Sequence, residues 1–69
     1  MYATELCIDP WPGVDFRRIR WELFVHKDVL DVLPTSSRTR FVVIHRHEAE
    51  LDRWRAELVA AGLARATGS

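Results

Sequence analysis

The stretch DFRRIRWELFVH, residues 15–26, decides which of two folds this 69-residue chain adopts. Polar and apolar residues alternate in its middle, as they do in a half-buried strand. Phe16, Ile19 and Leu23 nevertheless share one face of a helix, and Asp15 is a residue type that caps helix N-termini well. We therefore predict a helix in this stretch, and a strand is the alternative.

The C-terminal half contains the clearest elements. The segment RFVVIHR, residues 40–46, is rich in β-branched and aromatic residues and predicts a strand. The next segment predicts a helix over residues 48–61, because four apolar residues recur at helical spacing: Leu51, Trp54, Leu58 and Ala61. Gly62 can take the left-handed position that ends a helix, with Leu63 folding back on Leu58 as in a Schellman motif.

Two further segments complete the set of elements. In TELCID, residues 4–9, apolar and polar residues alternate, which predicts a half-buried strand. DVLDVLP, residues 28–34, fits two structures. Asp28 and Asp31 are typical of a helix start, whereas valine and leucine before a proline favour a strand that leads into the loop PTSSRT.

A helix at residues 15–26 gives the order strand, helix, strand, strand, helix. The apolar spacing from Ile19 through Val32, followed by FVV and a helix that ends in AAGL, resembles the ferredoxin-like fold of small heavy-metal-associated domains. The resemblance implies an α+β domain with an antiparallel sheet and two helices on one face. That fold normally ends in a fourth strand, but the segment LARATGS after Gly62 is too short and too polar to supply one, so we expect a three-stranded sheet. Those domains bind metal through C-x-x-C before the first helix, and this chain has DPWPGVD there, so the metal function is not implied.

The alternative fold is a β-meander followed by one C-terminal helix. Either fold makes a single small domain over residues 1–63, and we expect residues 64–69 to form a flexible tail. Such a small core supplies only about 3–5 kcal/mol of stability. The single cysteine, Cys7, cannot form an internal disulfide, and its apolar strand predicts a buried, unreactive thiol.

Charge and composition bear on the class of partner. The formal net charge is zero, which disfavours non-specific nucleic-acid binding. The basic residues concentrate in the middle of the chain, however, and four residues there suggest nucleic-acid binding as an alternative function: Arg17, Arg18, Arg20 and Trp21. Nine of the ten basic residues are arginine and the chain lacks Asn and Gln, which indicates a high-GC genome and hence a bacterial or phage origin.

His45 and His47 are the strongest candidates for chemistry. Two residues apart on a strand, they would point to one face and could both reach a metal ion. The sequence fixes no third or fourth ligand, and the chain lacks any recognisable nucleophile, phosphate-loop or paired-carboxylate motif. We therefore predict no cofactor and no enzymatic activity, and interpret the histidines as the solvated junction between strand and helix. A metal-dependent activity at these histidines is the second alternative.

The predicted strand 40–46 suggests an interaction surface, because both of its alternating sets of side chains are apolar. Helices on one face cover only one set. If Leu30 and Val32 join Phe41 and Val43 in the core, the outward set comprises Val42, Ile44 and Cys7, flanked by Arg40 and Arg46. An apolar strip with a charged rim is typical of a binding surface.

Two other features also predict a partner. Trp11 lies between two prolines in a predicted loop, where a large aromatic side chain either plugs the edge of a core or anchors a partner. The first strand would lie at an open sheet edge, which attracts a further strand. We therefore expect a non-enzymatic interaction module that forms a homodimer or binds a dedicated protein. No segment is suited to cross or target a membrane, so we expect a cytoplasmic location.

Overall fold

A computed structural model describes residues 1–66 of the chain. The elements are β1 (Tyr2–Cys7), α1 (Phe16–Leu23), β2 (Val29–Pro34), β3 (Arg40–His45) and α2 (Leu51–Ala60). Within these described residues, no helix is long and apolar enough to cross a bilayer.

The three strands form one open sheet in the order β1-β3-β2, and both pairings with the central β3 are antiparallel. This is the predicted α+β fold, with β1 at a sheet edge. The β-meander alternative is wrong, because β1 pairs with β3 and not with its neighbour in sequence. The segment DVLDVLP is a strand, which settles that ambiguity as well.

Helix α1 forms because its caps and its buried face agree. The Asp15 side chain accepts a hydrogen bond from the backbone N–H of Arg17 at 3.3 Å, and Ile19 and Leu23 are buried in the core. The helix ends three residues before the end of the predicted stretch. There the N–H of Phe24 bonds to carbonyls of the last turn, and the chain turns toward β2.

Helix α2 begins at Leu51 instead of residue 48. Its N-cap residue, Glu50, makes no side-chain capping bond, and the preceding residues turn the chain from the sheet layer to the helix layer. Its C-terminus matches the predicted Schellman motif. Gly62 has φ +76°, and the N–H of Leu63 bonds to the Leu58 carbonyl at 3.0 Å.

The core lies between the two helices and one face of the sheet. Its strand residues follow the alternation of the pleat, with Leu6, Phe41 and Val43 buried. In β2 the buried residues are Val29 and Val32, because a β-bulge between Val29 and Asp31 shifts the register by one residue. The assumption that Leu30 and Val32 both join the core therefore holds for Val32 only, since Leu30 is half-buried.

The chain after α2 returns to the segment that follows β1. Ala64 is buried and forms an isolated antiparallel bridge with Pro10, and the N–H of Arg65 donates to the Asp9 carbonyl at 2.8 Å. The tail that was predicted to start at residue 64 is thus anchored through Arg65. The rest of that prediction, residues 67–69, lies outside the described residues.

Candidate functional site

The face of the sheet opposite the helices is a continuous surface, which we call the open face. The register fixes its members. β1 contributes Ala3, Glu5 and Cys7; β3 contributes Arg40, Val42 and Ile44; β2 contributes Asp31 and Leu33. The buried residues of both described helices (Ile19 and Leu23 in α1, Trp54 and Leu58 in α2) lie in the core on the other side, so neither helix covers this face.

The centre of the open face is apolar. Val42 and Ile44 lie on the central strand and are partly exposed, while Leu33 beside them is 43% exposed. Side chains from both edge strands shield the two central residues on their flanks, which explains their intermediate exposure. The predicted outward orientation of Val42 and Ile44 is what the structure shows.

A charged rim surrounds this apolar centre. Arg40 lies 3.9 Å from the carboxylate of Glu5, across the strands. At the opposite edge, Asp31 bonds to Arg20 of α1 at 3.1 Å. The backbone N–H of Val32 and then the Arg20 guanidinium lower the pKa of the Asp31 carboxyl below its usual value of 3.8. The rim therefore carries charges of both signs at neutral pH.

The two edges of the sheet differ in how well they are protected from pairing with a further strand. The edge strand β2 ends in Pro34, which has no N–H, and the Asp31 side chain takes up the N–H of Val32 at 2.8 Å. On β1, the Arg55 guanidinium donates to the Cys7 carbonyl at 3.2 Å. The described residues give β1 no comparable cap nearer its N-terminus, so β1 is the more accessible edge.

Cys7 corrects one expectation from the sequence. It was predicted to be a buried thiol, but its side chain is exposed on the open face. The reason is the position of β1 in the sheet: residues with the parity of Leu6 face the helices, and those with the parity of Cys7 face away from them.

Trp11 does not join the open face. It lies in the β1–α1 loop, where its backbone N–H donates to the Leu63 carbonyl at 3.1 Å. Its ring is 44% exposed and stacks against the Arg65 guanidinium, 4.7 Å from the ring centroid. Trp11 thus lies beside the chain that follows α2, separate from Val42 and Ile44.

The structure divides the arginine-rich candidates of α1 into two groups. Arg20 turns to Asp31 and also stacks over the Phe24 ring at 4.8 Å. The other candidates line a groove of about 400 Å³ beside the end of α2. We call it the α1–α2 groove, and it is lined by Arg17, Arg18, Trp21, Glu22, Ala61 and Leu63.

The sequence did not identify Ala61 and Leu63 as members of this groove. They follow α2 and are about forty residues from α1 in the chain, so no local pattern links the two segments. The predicted Schellman ending was the available signal, because it places Leu63 at the helix terminus. Only the packing of α2 against α1 brings that terminus beside α1.

His45 is a core residue and not part of a solvated junction. It is 2% exposed, and it continues the buried alternation of Phe41 and Val43. Nδ1 faces the His47 carbonyl, so it donates a hydrogen bond there, and in the neutral ring Nε2 accepts from the Thr4 hydroxyl at 2.7 Å. The interpretation that the strand has left the core by residue 45 is therefore wrong.

His47 does not converge with His45. Its side chain is 74% exposed, and its Nδ1 lies 2.9 Å from the Asp28 carboxylate. Both nitrogens of His45 are engaged by protein atoms. In the part of the chain that the structure describes, no three His, Cys, Asp or Glu side chains gather as metal ligands would.

The open face is therefore a surface that the described helices leave uncovered, and the α1–α2 groove is a second, separate feature. Comparisons with known proteins add no assignment to either: no family model, no curated protein and no solved structure matches this chain.

Proposed function

We propose that this chain is a non-enzymatic interaction module that forms a homodimer through the open face of its sheet. One observation carries the proposal: Val42 and Ile44 occupy the central strand on the side that neither described helix covers. Burying apolar surface of this kind stabilises a complex by roughly 25 cal/mol per Å² before the costs of association are subtracted.

The charges of the rim favour a second copy of this chain as the binding partner. Glu5 and Asp31 carry negative charge and Arg40 carries positive charge around the same apolar centre. Two identical faces can therefore place opposite charges against each other at the rim. The size of the domain supports the same conclusion, because small cores gain stability from association. The proposed compartment is the cytoplasm, where an exposed lone thiol such as Cys7 stays reduced.

The test is the oligomeric state of the purified protein, measured by light scattering coupled to size exclusion. The wild type should have the mass of a dimer. Val42→Glu/Ile44→Glu should have the mass of a monomer and keep its helical circular dichroism signal. Val25→Glu is the matched control, because Val25 is 64% exposed and lies outside the sheet. It should remain a dimer.

A wild-type monomer at high micromolar concentration would contradict the proposal. A dimer that survives the double substitution would also contradict it, because the association would then use another surface.

A further inference from the structure

Two arginines that line the α1–α2 groove have no counter-ion among residues 1–66. Five arginines lie within 3.9 Å of a carboxylate: Arg20, Arg40, Arg53, Arg55 and Arg65. Among the described residues, no carboxylate lies that close to Arg17 or Arg18, which stand side by side at the start of α1. Arg17 and Arg18 therefore bring positive charge to the groove that no described carboxylate pairs with.

Three of the other residues that line the groove are apolar: Trp21, Ala61 and Leu63. Trp21 is 75% exposed, although an indole ring is among the side chains that gain most from burial. Ala61 and Leu63 line the same groove, and Leu63 is held in place by the helix ending and by its bond to Trp11. A fixed apolar floor beside an exposed indole is typical of a pocket that takes one hydrophobic anchor.

Glu22 limits the class of ligand. It lines the same groove as Arg17 and Arg18, and no arginine or lysine of the described residues neutralises it. A string of phosphates along the groove would meet this carboxylate and be repelled. A peptide suits the arrangement better, because one acidic side chain can lie at the arginines while backbone N–H groups face Glu22.

We propose that the α1–α2 groove binds a short acidic peptide segment of a protein partner. A carboxylate of the segment bonds to Arg17 and Arg18, and a neighbouring aliphatic side chain packs between Trp21 and Leu63. A volume of about 400 Å³ is at the small end of ligand pockets and suits only a few residues. This site is separate from the open face and does not depend on dimerisation.

The test uses the full chain and the peptide acetyl-Leu-Asp-Leu-Asp-amide. Its counterpart with asparagine at both acidic positions is the neutral control. Binding is followed by NMR through the tryptophan indole signals, which Trp21→Phe assigns. The acidic peptide should shift the Trp21 signal saturably and leave that of the buried Trp54 unchanged. The neutral peptide should bind about tenfold more weakly, as expected for two exposed charge pairs.

Variants locate the site. Arg17→Ala/Arg18→Ala should weaken binding of the acidic peptide about tenfold. Arg38→Ala, in the exposed β2–β3 loop, is the matched control and should leave binding unchanged. An unchanged Trp54 signal in each variant shows that the fold is intact.

Three outcomes would overturn the proposal. The first is no saturable shift of Trp21 at about 5 mM peptide, which corresponds to an affinity too weak for a docking site. The second is equal binding of the neutral peptide. The third is tighter binding of oligothymidylate that Arg17→Ala/Arg18→Ala abolishes, which would assign the groove to single-stranded nucleic acid.

Discussion

The imidazole of His45 lies edge-on to the indole of Trp54, with ring centroids 5.2 Å apart and planes inclined at 66°. The contact joins the end of the central strand to the middle of α2. Both side chains are nearly completely buried, and Tyr2 stacks on the other side of the imidazole at 5.6 Å. This aromatic cluster packs the second helix against the sheet.

Truncating Trp54 should lower the free energy of unfolding more than truncating any other described core residue. Trp54→Ala should lower the free energy of unfolding by about 3–5 kcal/mol, because it removes the largest buried side chain and leaves a cavity. Trp54→Phe should cost less, since it keeps a ring and removes an indole N–H that has no partner among the described residues. Urea denaturation measures both. Equal stability of Trp54→Ala and wild type would mean that α2 does not pack as described.

The hydroxyl of Thr4 should contribute more to the stability of the fold than its methyl group. Thr4→Val keeps the shape but leaves Nε2 of His45 buried without a hydrogen bond, which should cost about 1–3 kcal/mol. Thr4→Ser keeps the hydroxyl and serves as the control, with a smaller loss. If thermal melts show the valine variant to be more stable than the serine variant, the bond between Thr4 and His45 contributes little.

Gly62 should be sensitive to the chirality of its replacement. Its φ is +76°, and a Cβ there would meet no atom within 4 Å, so the cost of substitution is backbone strain alone. Gly62→Ala should destabilise the protein by about 1–2 kcal/mol. D-alanine at this position, introduced by chemical synthesis, suits a positive φ and should not destabilise it. Equal melting temperatures for the two forms would contradict this explanation.

The Asp31 carboxyl should titrate below its usual pKa of 3.8. Because its pKa is lower in the folded state than in the unfolded state, the ionised carboxylate stabilises the fold at pH values above 3.8. This contribution is lost as the pH falls through the folded pKa. The stability difference between wild type and Asp31→Asn should therefore shrink progressively as the pH falls below about 4. A carbon-detected NMR titration measures the pKa directly.

Arg20→Ala separates the two causes of that shift. The pKa of Asp31 should rise in this variant but remain below 3.8, because the hydrogen bond from the backbone N–H of Val32 persists and is the larger cause. A return to the ordinary value would show that the arginine alone depresses the pKa.

Protein purified without chelators should contain less than one equivalent of zinc, copper or iron. Both nitrogens of His45 are occupied by protein partners, and His47 is directed to Asp28. Elemental analysis measures the content, and His45→Ala/His47→Ala is the comparison. One tightly held equivalent in the wild type that is lost in the double variant would show that the histidines rearrange to bind metal.

Local patterns in the sequence determined the order of the elements and several of their ends. Asp15 indicated the start of α1 because a short polar side chain can cap a helix without help from distant residues. Gly62 and Leu63 indicated the end of α2 for a similarly local reason, since the Schellman bonds join residues at most five apart. Alternation along β3 identified Val42 and Ile44 as one set of neighbours.

The tertiary structure decided what those local patterns left open. Residues 18–23 alternate like a strand, yet they form a helix, because burying Ile19 and Leu23 against the sheet outweighs the local preference. Because of the bulge in β2, Val29 and not Leu30 is buried in the core, since the register of a strand depends on the strand with which it pairs. His45 became buried because Thr4 and Trp54, remote in sequence, supply its hydrogen bond and its packing.

One of the two candidate sites follows from local sequence patterns, and the other follows from the tertiary structure. The sequence alone predicted the open face, because an alternating apolar set shows itself within one strand. It did not predict the α1–α2 groove, whose arginines and apolar floor come from opposite ends of the chain. A surface built by one element is encoded in local periodicity, whereas a groove between two elements exists only once long-range packing has set their positions.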